Sequence, residues 1–99
     1  IQFLSIIFIS CLSIHIFFFN NDYLQFANLS LPLTDIKVPT LVIHGTEDIS
    51  VDISQGEAIA RLVPNATMYV VEGGDHMMMS THSEQIEGAI EDFFRKTVD

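Results

Sequence analysis

Basic side chains are scarce in this sequence: four lysines and arginines stand against thirteen aspartates and glutamates, a formal charge of −9 at pH 7. Such a balance repels phosphate backbones and anionic headgroups, so nucleic-acid partners are not expected. Cysteine is almost absent too, with Cys11 alone. A single thiol closes no internal disulfide and supplies no paired-ligand spacing, and it leaves the redox compartment and localisation undetermined. The four histidines, His15, His44, His76 and His82, show no pair at the four-residue helical spacing of a zinc hydrolase. No cysteine or glutamate stands where a third ligand is needed, and no metal is expected.

Apolar residues make up 48% of the chain, but they crowd into its start. Residues 1–19 hold isoleucine, leucine and phenylalanine with only Gln2, serines, Cys11 and His15 between them. At about 1.5 Å per residue this segment is long enough to cross a bilayer as a helix. No basic residue precedes the run and no small-residue cleavage site follows it, which argues against a signal peptide. No lysine or arginine flanks it to set an orientation. Three readings stay open: a membrane or signal segment, a core helix or strand, and sequence not native to the folded protein, since Phe17-Phe18-Phe19-Asn20-Asn21 looks like low-complexity translation. Residues 20–34 read as a linker, in which Tyr23 to Ala27 form one or two helical turns and Pro32 begins an extended approach to a strand. Asn28-Leu29-Ser30 and Asn65-Ala66-Thr67 match the N-glycan acceptor pattern. Asn65 is equally well explained as a turn residue after Pro64.

The rest, residues 35–99, is organised around Val38-Pro39-Thr40-Leu41-Val42-Ile43-His44-Gly45-Thr46-Glu47-Asp48. A short apolar, β-branched run ending in a glycine turn is the signature of a buried strand in a parallel sheet. The pattern recurs at Thr67-Met68-Tyr69-Val70-Val71, followed by Gly73-Gly74 and the polar pair Asp75-His76. Between the two strands, Ser54 and Glu57 have capping-box spacing. Ala58, Ile59, Leu62 and Val63 then share a helical face until Pro64 stops the helix. A strand, helix, strand unit of this length makes a crossover between parallel strands, not a hairpin. Neighbouring strands lie roughly 5 Å apart, so Asp48 and His76 are expected at one rim, within reach of each other. A carboxylate there fixes a histidine's tautomer and stabilises its imidazolium, the arrangement of a general base.

These residues carry a resemblance. Residues 36–96 resemble the carboxyl-terminal part of an α/β-hydrolase, in which I-x-V-P-T-L-V-I-H-G-x-x-D supplies the acid of a catalytic triad and V-V-E-G-G-D-H the histidine. The resemblance implies an α/β fold fragment with the last two parallel strands, a crossover helix and a closing helix. It implies that Asp48 and His76 are the catalytic acid and histidine, that no cofactor is needed, and that the order nucleophile, acid, histidine runs along the chain. The family's nucleophile elbow, G-x-S-x-G, occurs nowhere in these residues. The oxyanion-hole donors that accompany it are missing likewise. The family normally needs well over twice 99 residues, so the expectation is a truncated chain without activity of its own.

Other residues have competing roles. Asp52 is the runner-up acid, though a loop residue or helix cap suits it better, and Glu47 is expected in solvent. His44 is expected as a structural residue beside the turn and His82 as an exposed residue in the first turn of the last helix. Met77-Met78-Met79 either lines an acyl pocket or packs into the core. Asp75-His76-Met77 with the later Met79 is also similar to plant methylesterases and hydroxynitrile lyases. Thr81 and Glu84 form a second capping-box match, opening a helix whose stripe is Ile86, Ala89, Ile90, Phe93 and Phe94. Arg95 and Lys96 sit at its negative end.

The functional expectation is a serine hydrolase acting on a small ester or similar carbonyl substrate, present here without its nucleophile. The alternative is a non-catalytic chain, truncated or membrane-tethered through Ile1 to Phe19, which pairs its open sheet edge with another polypeptide.

Overall fold

The computed structural model describes residues 3–10, 13–20, 23–26, 33–49, 51–75 and 77–97. Five strands, β1 (Phe3–Ser10), β2 (Ser13–Asn20), β3 (Tyr23–Phe26), β4 (Thr40–Gly45) and β5 (Ala66–Val71), form one sheet in the order β3-β2-β1-β4-β5. β1, β4 and β5 run parallel, while β2 is antiparallel to both β1 and β3. A short 3-10 turn, Leu33–Asp35, precedes β4.

The expected strand, helix, strand unit is present: β4 leads through α1 (Ile53–Leu62) to β5, its parallel neighbour. All six residues of β4 are buried, as an interior strand with both faces covered requires. Its side chains alternate between two cores. Leu41 and Ile43 join Ile6, Val71, Met78, Ile86 and Phe93 on one face. Val42 joins Ile7, Ile36, Val51, Ile59 and Val63 on the other, against α1. Burying a side chain such as Ile43 or Val42 fully contributes about 1.5–3 kcal/mol.

α1 begins earlier than the capping-box spacing suggests. Its N-cap is Asp52, whose carboxylate accepts from the Ser54 backbone N–H at 3.0 Å. Aspartate caps as well as serine and adds a negative charge at the positive end of the helix dipole, so the cap two residues upstream of Ser54 prevails. The helix ends before Pro64 as expected, with the Val63 N–H bonded to the Ile59 carbonyl.

The far face is covered by α2 (Met78–Thr81) and α3 (Ser83–Thr97). Ile86 and Phe93 of α3 are buried and Ile90 and Phe94 pack beside them, the expected stripe. Thr81 closes α2 instead of capping α3. Its hydroxyl is within bonding distance of the Met77 carbonyl and of His82 Nδ1.

The amino-terminal third departs most from expectation. The described parts of residues 1–19 are two strands rather than a membrane or signal helix, which agrees with the core-strand reading. β1 and β2 pair over their full length, from Phe3 with Asn20 to Ser10 with Ser13. β1 also supplies a third parallel strand beyond the two expected. Tyr23–Phe26, read as helical turns within a linker, is a strand paired to β2. The physical reason is composition: isoleucine and phenylalanine favour a pleated, half-buried surface at least as much as a helix. Among the described residues no helix is long and apolar enough to cross a membrane.

Candidate active site at the carboxyl rim of the sheet

β4 and β5 end level with each other, Gly45 standing opposite Val71 in the parallel register. The loops that follow therefore leave side by side, and they are tied together. Thr46 donates its N–H to the Val71 carbonyl at 3.1 Å and Glu47 to the Gly74 carbonyl at 2.8 Å. The Gly73 N–H, on a residue at φ 78°, bonds in return to the Thr46 hydroxyl oxygen at 2.8 Å. Glycine at 45 is required by this closeness, because a Cβ there would overlap the Gly74 carbonyl.

Asp48 lies three residues beyond Gly45 and is buried, 8% exposed. Its Oδ1 accepts from the Val51 N–H at 2.9 Å. Its Oδ2 lies 3.7 Å from Nε2 of His44, a side chain with no exposed surface. The same Nε2 is 2.7 Å from the Val51 carbonyl oxygen. The carboxylate is thus held from within its own loop by the Val51 N–H.

The runner-up acid occupies a different environment. Asp52 is exposed and caps α1. Hydrogen bonding from Ser54, through its side chain first and its backbone N–H second, holds the Asp52 carboxyl below the usual aspartate range.

On the β5 side, the half-buried Asp75 folds back on the chain that follows it. Its Oδ1 accepts from the Met77 N–H at 2.8 Å and its carbonyl from the Met78 N–H at 3.1 Å. His76, the expected catalytic histidine, lies outside the described residues. Its neighbours Asp75 and Met77 follow directly from the loop tied to Thr46 and Glu47.

The methionines divide between their two readings: Met78 is 1% exposed in the core, while Met77 and Met79 are more than half exposed. His82 is half-buried and bonded to Thr81. Among the described residues no group of three or more potential ligands is placed to hold a metal ion. What the sequence reading missed is the contact between His44 and the acid. The signal was available in the four-residue spacing of His44 and Asp48 across a glycine turn at the end of a fully buried strand.

Known proteins are similar to this chain in sequence and in fold. A family model described as alpha/beta hydrolase fold matches residues 13–83. The chain is 35% identical over 66 residues to polyketide synthase ThaQ of Burkholderia thailandensis, covering 67% of this chain and 3% of the synthase. It is 36% identical over 56 residues to the non-heme chloroperoxidase CPO-A1 of Kitasatospora aureofaciens, covering 56% of this chain and 20% of that protein. Among solved structures, MenH from S. aureus superposes with a TM-score of 0.62 at 25% identity, over 68% of this chain and 25% of MenH. A bromoperoxidase from Bacillus anthracis superposes with a TM-score of 0.60 at 30% identity, over 64% and 23% of the two chains. The chain spans a quarter or less of the length of each of these relatives. With three parallel strands, helices on both faces and a family match over most of its length, the chain belongs to the α/β-hydrolase family.

Proposed function

We propose that these residues carry the acid and the histidine of a serine hydrolase, with Asp48 orienting His76 and the nucleophile supplied by polypeptide outside them. In this reading His76 takes the proton of a serine hydroxyl as the oxygen attacks an ester or similar carbonyl. It then returns the proton to the leaving group as the acyl-enzyme forms, and repeats the exchange with water, which breaks the acyl–serine bond and frees the carboxylic acid and the serine. Asp48 holds the ring in the tautomer that leaves the reacting nitrogen bare, and stabilises the imidazolium. No cofactor enters these steps. The oxyanion hole belongs with the missing G-x-S-x-G segment.

The observation that carries the reading is the cross-tied pair of loops: buried Asp48 on one, and on the other the chain running through Gly74 to Asp75, one residue before His76. Proton NMR of the chain tests it. A hydrogen bond from the His76 ring to Asp48 gives a strongly deshielded ring N–H proton, expected in the wild type and lost in both Asp48→Asn and His76→Gln. A His76 ring proton that ignores Asp48→Asn would sink the pairing.

A further inference from the structure

We propose that His44 is a positioning residue for the acid, holding the Asp48 carboxylate in place through a donor at Nε2 and the Val51 backbone. The proposal rests on the acid role of Asp48 given above, and it asks what keeps that carboxylate aimed.

His44 shares the α1-facing side of β4 with Val42, and α1 makes room for it by carrying glycine at position 56. A Cβ there would overlap His44 Nδ1. The ring is fully buried. A carbonyl oxygen only accepts, so the 2.7 Å contact between Nε2 and the Val51 carbonyl requires the proton on Nε2. In the neutral ring Nδ1 then carries only a lone pair, and among the described residues no hydrogen-bond partner meets it. An imidazole with one buried nitrogen left unsatisfied costs free energy that leucine in the same space would not. Filling the core therefore does not account for a histidine here. Its donor does.

The target of that donor is the residue that also holds the acid. Val51 gives its N–H to Asp48 Oδ1 at 2.9 Å and presents its carbonyl to His44, whose Nε2 lies 3.7 Å from the other carboxylate oxygen. Ring, loop residue and carboxylate form one closed arrangement. Without the Nε2–H, the Val51 carbonyl is left buried without this partner, and the loop that bonds Asp48 loosens.

Hydrogen exchange at the Val51 amide reads this directly in the chain itself. His44→Leu fills the space without a donor, and the Val51 amide is expected to exchange about tenfold faster while Val42 and Ile43 in β4 keep their protection. His44→Gln, whose amide nitrogen reaches the position of Nε2, restores protection. His44→Asn, whose amide reaches only the position of Nδ1, does not. A space-filling role would leave the leucine variant protected and make glutamine no better, and either result overturns the proposal. If the leucine variant does not fold, nitrogen-labelled histidine spectra of the wild type decide. His44 protonated at Nε2 and bare at Nδ1 is expected, and a ring protonated at Nδ1 alone overturns it. Failure of the triad reading shows separately, as a His76 ring proton indifferent to Asp48→Asn while Val51 protection still follows the donor at position 44.

Discussion

The Glu47 N–H donates to the Gly74 carbonyl at 2.8 Å, joining the loop after β4 to the loop after β5 across 27 residues of sequence. The contact explains why β4 ends on a glycine, since only backbone without a Cβ at Gly45 allows the Gly74 carbonyl to come so close. Gly45→Ala places a methyl group against main chain that cannot rotate away. The expected loss is about 1–3 kcal/mol of unfolding free energy, measured by chemical denaturation. A change near zero would mean that the loops are not held together.

Ile43 anchors the face of β4 opposite His44, with no exposed surface and neighbours from β1, β5, α2 and α3. Ile43→Ala opens a cavity where all these elements meet. A loss of about 2–5 kcal/mol is expected in the same measurement. By contrast Arg95→Ala, which removes an exposed ion pair to Asp92, should change stability by less than about 0.5 kcal/mol.

Asp52 gives a dependence on pH whose sign follows from its cap. Ser54 holds the carboxyl below its ordinary value in the folded chain, so folding favours the charged form. That contribution is fully present above the unfolded-state value of about 3.9 and is lost as pH falls through the lower folded-state value. Asp52→Asn keeps an acceptor at the N-cap but removes the charge. Its stability should lie below wild type at neutral pH and converge with it in acid. A gap of constant size across the titration would contradict the linkage.

Serine reactivity tests where the nucleophile lies. None of these residues forms a G-x-S-x-G elbow, so a fluorophosphonate probe should leave the chain unlabelled under conditions that label a serine hydrolase stoichiometrically. Stoichiometric labelling of any serine here would show that the chain carries a nucleophile of its own.

The carboxyl-terminal two thirds were legible because period and punctuation agree there. The buried run Thr40 to His44 stops at Gly45, the α1 stripe stops at Pro64, and the α3 stripe keeps helical spacing from Ile86 to Phe94. The amino-terminal strands were not legible, for a reason that is physical. An unbroken apolar run has neither the alternation of a half-buried strand nor the stripe of a surface helix, so periodicity cannot choose between them. The start of α1 misled through competition, Asp52 and Ser54 both being good caps and only the folded chain choosing. The link from His44 to Asp48 through Val51 depends on how the turn folds back after β4, which no repeat in the sequence encodes.

A working acid–histidine pair requires Asp48 and His76 to meet at one rim. The most direct measurement is the set of nuclear Overhauser contacts made by the His76 ring protons in the wild-type chain. Contacts to the Asp48 β-protons and the Val51 amide are expected. A ring that contacts neither, while the amides of β4 and β5 show the parallel pairing described above, would contradict the account.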